Sequence, residues 1–255
     1  QFRSAHNLSA VNSINWARLM AQVVYYFVAS LQLGGPERKL AFSVPTGNFG
    51  DVFAGHVAAR MGLPIEQLVV ATNVNDILHR ALSAGDYSAG TVTPTAAPSM
   101  DIQVSSNFER LLFDVGGRDG AALAEQMRGF ESTRAMQLTN AQREGAARLF
   151  TSLRADEHDM ASAMRWACED CAQVIDPHTA IGLHAARAVE LPVGVPVVTL
   201  ATAHPAKFPD AVERATGTRP SLPPRVGDLF AREEAYTELA GAYEAVRDHI
   251  VGHAA

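Results

Sequence analysis

The fold of this chain is decided by the stretch Ser43-Val44-Pro45-Thr46-Gly47-Asn48-Phe49-Gly50-Asp51. The apolar run from Leu40 to Val44 predicts a buried strand, and the periodicity from Val52 onward predicts a helix that stops near Gly62. A glycine-containing turn at a helix N-terminus presents free backbone N–H groups and the positive end of the helix dipole, which together bind a phosphate. An ordinary strand-to-helix turn has similar residues, so the pattern alone leaves both interpretations open.

Composition narrows the class of protein. The chain has 255 residues, of which 47% are hydrophobic and 19% charged, a profile typical of globular proteins. The net charge of −6 argues against nucleic acid as a partner, because phosphate backbones require basic surfaces. Glycine, proline and threonine interrupt the apolar runs, which are too short to cross a membrane. No secretion signal is visible at the first residues, and we expect a cytoplasmic protein.

Two cysteines lie three residues apart, at Cys168 and Cys171. No second cysteine pair or histidine pair completes a zinc site, so no metal site is predicted. Together with Met160, Met164 and Ala167 they fit one apolar face of a helix. We therefore expect buried structural thiols.

The remaining pattern alternates helices and apolar strands. A helix capped by Ser13 is predicted through Phe27, and further strands are predicted over residues 68–72 and 195–202. The last of these strands is apolar on both faces, which predicts a central position in the sheet. Residues 116–171 look helical, and Asp176 followed by Pro177 is a strong helix start. The class is therefore α/β, with a mainly parallel sheet flanked by helices.

Three local signals refine this interpretation. Residues 106–109, Ser-Asn-Phe-Glu, and residues 139–142, Thr-Asn-Ala-Gln, are typical of capping boxes that open helices. A linker over residues 220–224 leads to an amphipathic helix predicted over residues 233–251. Ligands of parallel sheets bind beyond the carboxyl ends of the strands, where Gly47 and Thr202 both fall.

Several ordered motifs carry a family resemblance. They are Asn12-Ser13-Ile14-Asn15-Trp16-Ala17-Arg18, the Gly47 to Asp51 loop, residues 71–76, residues 176–180 and residues 201–208. In this order and spacing the chain closely resembles threonine synthase over about residues 4–114 and 176–210. That family has the fold type II architecture of pyridoxal-phosphate (PLP) enzymes, which is tryptophan synthase beta-like.

The resemblance implies a cofactor and a substrate. Residues of the loop would hold the PLP phosphate, namely Gly47, Asn48, Phe49, Gly50 and Asp51, and Thr202 would meet the pyridine nitrogen. Asp51 is itself acidic, so fixing the loop or capping the helix is its more plausible role. The phosphate of O-phosphohomoserine would be bound by Asn12, Ser13, Asn15 and Arg18, because arginine and amide donors suit that anion.

No catalytic residue is assigned in the chain itself. A PLP enzyme needs a Schiff-base lysine, and neither Lys39 nor Lys207 matches the motif of the family. For His178 and His204 a structural role is favoured over catalysis. The chain thus resembles the C-terminal part of a threonine synthase, truncated at the N-terminus, inactive by itself, and partnered by the missing N-terminal segment of the same enzyme.

The predicted domain division follows from the same resemblance. Residues 1–215 would form a partial PLP-binding domain, with residues 1–35 as a candidate part of the small domain, and residues 216–255 would form a linker and C-terminal helix. Two other functions stay open. One is a phospho-lyase that eliminates phosphate from O-phosphohomoserine without returning water, and the other is a non-catalytic module that binds small anions.

Overall fold

A single parallel sheet organises the molecule. The computed structural model describes residues 2–8 and 12–253. Its strands are β1 (Leu40–Pro45), β2 (Ile65–Thr72), β3 (Phe150–Arg154) and β4 (Val197–Thr199), in the order β3-β2-β1-β4. All neighbouring strands are parallel. Every residue of β1 is buried, as expected for a strand covered on both faces.

Helices surround the sheet. They are α1 (Phe2–Ala5), α2 (Trp16–Gln32), α3 (Gly50–Arg60), α4 (Ile77–Ala84), α5 (Phe108–Val115), α6 (Gly120–Thr133), α7 (Asn140–Ala147), α8 (Glu157–Cys171), α9 (Pro177–Ala188), α10 (Pro209–Thr216) and α11 (Tyr243–His253). Short 3-10 turns occupy Pro98–Met100, Pro205–Lys207, Pro224–Val226 and Leu229–Ala231.

Two apolar clusters lie on opposite faces of the sheet. Leu68 and Val70 of β2 join the cluster that includes α2, α3 and α5. Val69 and Ala71, which alternate with them, join the cluster formed with α8, α9 and α10. This alternation follows from the period of two along a strand. The predicted α/β class, a mainly parallel sheet flanked by helices, is confirmed.

The strand predictions are partly confirmed. β1 and β2 lie where the sequence predicts them, joined by α3 as a crossover. The central position predicted for residues 195–202 is wrong. Only Val197–Thr199 form β4, and among the described residues it pairs with β1 alone and is half-buried. A strand that is apolar on both faces can still lie at an edge, because the faces and the hydrogen-bonding edges of a strand are covered independently.

A strand was hidden in the segment predicted to be helical. β3 interrupts residues 116–171, between α7 and α8. Its residues, Phe150-Thr151-Ser152-Leu153-Arg154, are short and mixed in polarity because they form the other edge of the sheet. A five-residue edge strand lacks the continuous apolar signal of a central strand.

The predicted helix caps have mixed outcomes. Thr139 forms the predicted capping box, and Asp176 caps α9 by accepting from the N–H groups of His178 and Thr179. The cap predicted at Ser13 is wrong, because α2 begins two residues later with Asn15 as its N-cap. The box over residues 106–109 is also wrong, since no side chain caps α5. α11 begins at residue 243 rather than 233.

The cysteines differ from expectation. Met160, Met164 and Ala167 are buried on α8, but Cys168 is only half-buried and Cys171 is exposed. Cys171 is the last residue of the helix and lies at the margin of the face that the preceding residues bury. In the described ranges no cluster of three or more His, Cys, Asp or Glu side chains could hold a metal ion. The same ranges contain no helix with the length and apolarity needed to cross a membrane.

Gly55 lets two helices and the sheet approach closely. A Cβ atom at this position would lie 2.7 Å from Cε1 of Tyr26 and 2.9 Å from Cδ2 of Leu68. Both neighbours are fully buried and have no room to move aside. The absence of a side chain therefore fixes the distance between α2, α3 and β2.

We expect Gly55→Ala to destabilise the protein. Overpacking of this contact should cost about 1–3 kcal/mol, which exceeds the gain of about 1 kcal/mol from better helix propensity. Gly129→Ala is the matched control, because Gly129 lies inside α6 with nothing within 4 Å of its Cβ position. Urea unfolding should show Gly129→Ala unchanged or stabilised. Equal effects of the two substitutions would contradict the close-packing argument.

Candidate anion-binding site

A cavity of about 690 Å³ opens at the carboxyl end of β1. Its walls come from α2, from the loop that follows β1, and from the segment after β4. The lining includes Ser13, Arg18, Tyr25, residues 45–51 and residues 200–202. The structure thus brings together the predicted loop, Thr202, Ser13 and Arg18.

The turn into α3 is made by Phe49. Its backbone is left-handed, with φ of 62° and ψ of 1°, although it is not a glycine. The side chain is buried, and its ring lies 5.2 Å from the ring of Phe108 and 5.7 Å from that of Phe150. Because aromatic packing holds the side chain, the backbone can keep a conformation that L-residues rarely adopt.

The loop leaves a set of backbone donors without protein partners. Within the described part of the chain, the N–H groups of residues 47–52 donate to no protein acceptor. The first N–H groups of any helix lack intrahelical partners, and here the preceding turn adds more of them. Together with the dipole of α3 they form a cradle suited to an anion.

Side chains just before α5 fix the loop. Ser105 donates through Oγ to the carbonyl oxygen of Gly47 at 2.8 Å. Asn107, fully buried, donates through Nδ2 to the carbonyl oxygens of Asn48 and Ser13, both at 2.9 Å. Because the loop carbonyls are held by these donors, the N–H groups are left for a ligand.

These residues were missed as site residues, because residues 106–109 match a capping box. The side chain of Asn107, which also accepts a hydrogen bond from Arg110, leaves no recognisable pattern in the sequence. It lies far in sequence from the loop that it holds.

Gly47 allows the loop to pack closely against neighbouring backbone. A Cβ atom there would lie 2.7 Å from the carbonyl oxygen of Ser99. The segment around residue 99 is held in turn by His178, whose Nε2 accepts from the N–H of Ser99 at 3.3 Å. The glycine is thus required by protein backbone on the side of the loop that faces residue 99.

Asp51 is a half-buried carboxyl at the wall of the cavity. Tyr25 donates a short hydrogen bond to its Oδ1, and the hydroxyl of Tyr26 lies 3.4 Å from the same oxygen and 2.9 Å from the backbone oxygen of Asp51. Burial raises the pKa of Asp51 to about 6, and the tyrosine hydrogen bonds offset only part of that rise. Burial and Asp51 in turn raise the pKa values of both tyrosines, which remain donors.

The other predicted contacts divide into two groups. Thr202 and Arg18 are exposed and line the cavity, and Ser13 lines it beside them. Asn12 accepts from the N–H of Ile14, and Asn15 accepts from the N–H of Ala17. The last two residues therefore stabilise the backbone that presents Ser13 and Arg18.

The histidines and lysines singled out in the sequence lie apart from the cavity lining. His178 is buried against Asp176, with Nδ1 2.9 Å from Oδ1. His204 accepts from the N–H of Ala206. Lys39 pairs with Glu66, and Lys207 lies over the ring of Phe208. Each has a structural contact, and a structural role was the one favoured from the sequence for the two histidines.

Comparison with solved structures defines the class of fold. The chain superposes with a TM-score of 0.53 on a PLP-dependent aspartate racemase, at 11% identity and with 82% of this chain covered. A likeness at that identity is one of fold alone. The parallel sheet with its helix-terminal cradle is the fold type II architecture of PLP enzymes.

Closer relatives are threonine synthases. A PLP-bound threonine synthase from Brucella melitensis superposes with a TM-score of 0.95 at 48% identity, covering 99% of this chain and 54% of that chain. Threonine synthase from Pseudomonas aeruginosa is 51% identical over 99% of this chain and 54% of its own length. The family model for the C-terminal region of threonine synthase matches residues 179–250. The chain is therefore related to threonine synthases along nearly its whole length, and it spans about half the length of the curated relatives it matches.

We expect Asn107→Asp to weaken the site and the fold together. The substitution keeps the shape but turns a carboxylate oxygen toward the carbonyls of Ser13 and Asn48. Loss of buried donors against two acceptors should lower the free energy of unfolding by about 2–4 kcal/mol. The defect should shrink toward acidic pH, because a protonated Asp regains one donor.

Urea unfolding at neutral and at acidic pH measures this effect. Asn140→Asp is the matched control, since Asn140 is exposed at the start of α7 and an acidic residue suits that position. A loss no larger than that of the control would show that Asn107 does not hold the loop.

Proposed function

We propose that this chain forms the cofactor-binding half of a PLP-dependent threonine synthase. The reaction would convert O-phospho-L-homoserine and water into L-threonine and phosphate. The observation that carries the proposal concerns the N–H groups of residues 47–51, which have no protein acceptor among the described residues. These residues line the same cavity as Thr202. The relatives named above support PLP as the cofactor and threonine synthesis as the reaction.

The residues present fit PLP. The cradle offers backbone donors at a helix N-terminus, which is how proteins bind a phosphate without a cationic side chain. The cavity of about 690 Å³ is within the range of small-molecule sites. Thr202 lines the same cavity as the cradle, and its hydroxyl can hydrogen-bond a pyridine nitrogen. When bound, the cofactor supplies an electron sink for carbanion chemistry.

The chain's own residues then have separate tasks. Residues 47–50 would bind and orient the cofactor phosphate. Thr202 would hold the ring nitrogen by a neutral hydrogen bond, which makes the ring a milder electron sink than an aspartate partner would. Arg18 and Ser13, at the mouth of the cavity, would bind the substrate phosphate, because a guanidinium matches the geometry of that anion.

The surface beside the cavity supports a second segment that completes the site. Trp16, Met20, Val24, Val28 and Leu31 form a stripe along α2 at helical spacing, and each is between 45% and 65% exposed. β4 has a free edge in the described structure. A contiguous apolar stripe beside an open sheet edge is typical of a surface that another segment covers. We propose that this segment corresponds to the other half of the threonine synthases.

The lining of the cavity contains neither of the two lysines of the chain. We therefore expect the chain by itself to be inactive. The full-length protein is this chain together with any further segment that the same gene encodes. A cytoplasmic location of the reaction stays a prediction.

Assay of both forms tests the proposal. The full-length protein with PLP should convert O-phosphohomoserine into threonine and phosphate, and the chain alone should not. Formation of 2-oxobutyrate in place of threonine would instead identify a phospho-lyase. Anion binding without turnover of this substrate would favour the non-catalytic module, and threonine formation by the chain alone would refute the half-site proposal.

Thr202→Val should lower turnover of the full-length protein while the fold survives. The substitution keeps the shape and removes one hydrogen bond worth about 0.5–1.5 kcal/mol, which corresponds to a loss on the order of tenfold. Thr202→Ser, which keeps a hydroxyl, should retain most of the activity and the absorption spectrum of the bound cofactor. If Thr202→Val keeps both the parent's spectrum and its rate, Thr202 does not contact the ring.

A further inference from the structure

Asp51 places an acid in a cavity built for an anion. Its carboxyl lies at the second position of α3 and lines the same cavity as the cradle. In the described ranges no Lys, Arg or His side chain forms an ion pair with it. Its partners are two tyrosine hydroxyls from α2: Tyr25 donates to Oδ1, and Tyr26 donates to the backbone oxygen of Asp51 at 2.9 Å, with Oδ1 farther away at 3.4 Å. An ionised Asp51 would therefore repel the phosphate that the cradle is shaped to hold.

The geometry points to Asp51 as a proton-binding residue of the anion site, which takes up a proton when the anion binds. This inference rests on the proposed function and deepens it. The Tyr25 hydroxyl donates to Oδ1, so the proton is held on Oδ2. In that form Oδ2–H can donate a hydrogen bond into the cavity, and the repulsion disappears.

Burial prepares the carboxyl for this role. Because its pKa is already raised to about 6, little further rise is needed for it to be neutral near physiological pH. A dianion in the cradle supplies that rise, since a nearby like charge disfavours the ionised carboxyl. Tyr25 and Tyr26 keep their protons. Tyr25 holds Oδ1 and Tyr26 holds the backbone oxygen of the same residue, which leaves Oδ2 to titrate.

Apart from Arg18 and Glu109, the other charged groups on the elements around α3 are engaged in contacts elsewhere. On α2 the remaining charge is Arg18, which lines the cavity. Asp114 of α5 contacts His56 and Arg60 at the far end of α3. The others are Glu66 of β2, paired with Lys39, and Glu109 and Arg110 of α5, the latter bonded to Asn107. β1 carries no titratable side chain.

The sign of the pH dependence follows from linkage. Below the pKa of the free site the carboxyl is already protonated, and affinity does not depend on it. Above about pH 6 each binding event must take up part of a proton, so anion affinity falls as pH rises, by at most about tenfold per pH unit. The fall ends once the pH exceeds the raised pKa of the occupied site.

Inorganic sulfate is the probe, because it stays a dianion across the whole range. In the full-length protein, sulfate that PLP displaces should bind more weakly from about pH 6 to about pH 8, and calorimetry in two buffers should show proton uptake. Asp51→Asn should bind sulfate with a nearly flat pH profile. Glu125→Gln removes one charge from the exposed face of α6 and should keep the parent's profile.

Tyr25→Phe keeps the inference testable if Asp51→Asn fails to fold. Removing one donor to Oδ1 should raise the pKa of Asp51 further and shift the fall in affinity to higher pH. Equal pH profiles for the parent, Asp51→Asn and Tyr25→Phe would overturn the inference. Absence of PLP-displaceable sulfate at every pH would instead refute the cradle of the proposed function.

Discussion

The site depends on one residue held against its backbone preference. Phe49 adopts a left-handed conformation that costs about 1–2 kcal/mol for an L-residue. Burial of its ring between Phe108 and Phe150 contributes an amount of similar size. The hydrophobic core therefore stabilises the turn that exposes the N–H groups. The chemistry at the surface of the loop and the packing beneath it are consequences of the same side chain.

Signals that are local in sequence predicted much of the fold. β1, β2 and α3 follow from an apolar run, a turn and a helical period within about thirty residues, and Asp176 marks the start of α9 by its own side chain. The edge strands were harder. β3 is hidden because its exposed positions are polar, and β4 was misplaced because an apolar strand looks the same whether or not a neighbour covers its edge. The proposed domain division at residue 215 stays a prediction.

The residues that line the candidate site could be predicted from the sequence, but the residues that hold them in place could not. The loop over residues 47–51 and Thr202 stand out by residue type and by position at strand ends. Asn107, Tyr25 and Tyr26 do not, because each acts on a residue that lies tens of positions away. The cap predicted at Ser13 is formed by Asn15 instead, since both residue types suit a helix cap and only the helix boundary decides between them. A residue that holds another residue in place leaves no periodic pattern.

The close approach at Gly55 has a mechanical consequence for the two walls of the cavity. Gly55 of α3 packs directly against the ring of Tyr26 of α2, so we expect the cradle and the helix that carries Arg18 to move together. The wall formed by residues 200–202 follows β4, which pairs with the sheet over only three residues. Any opening and closing of the cavity therefore belongs to the side of Thr202. The phosphate of a ligand would be held by the rigid cradle, and the other end of the ligand would lie against the more mobile segment after β4.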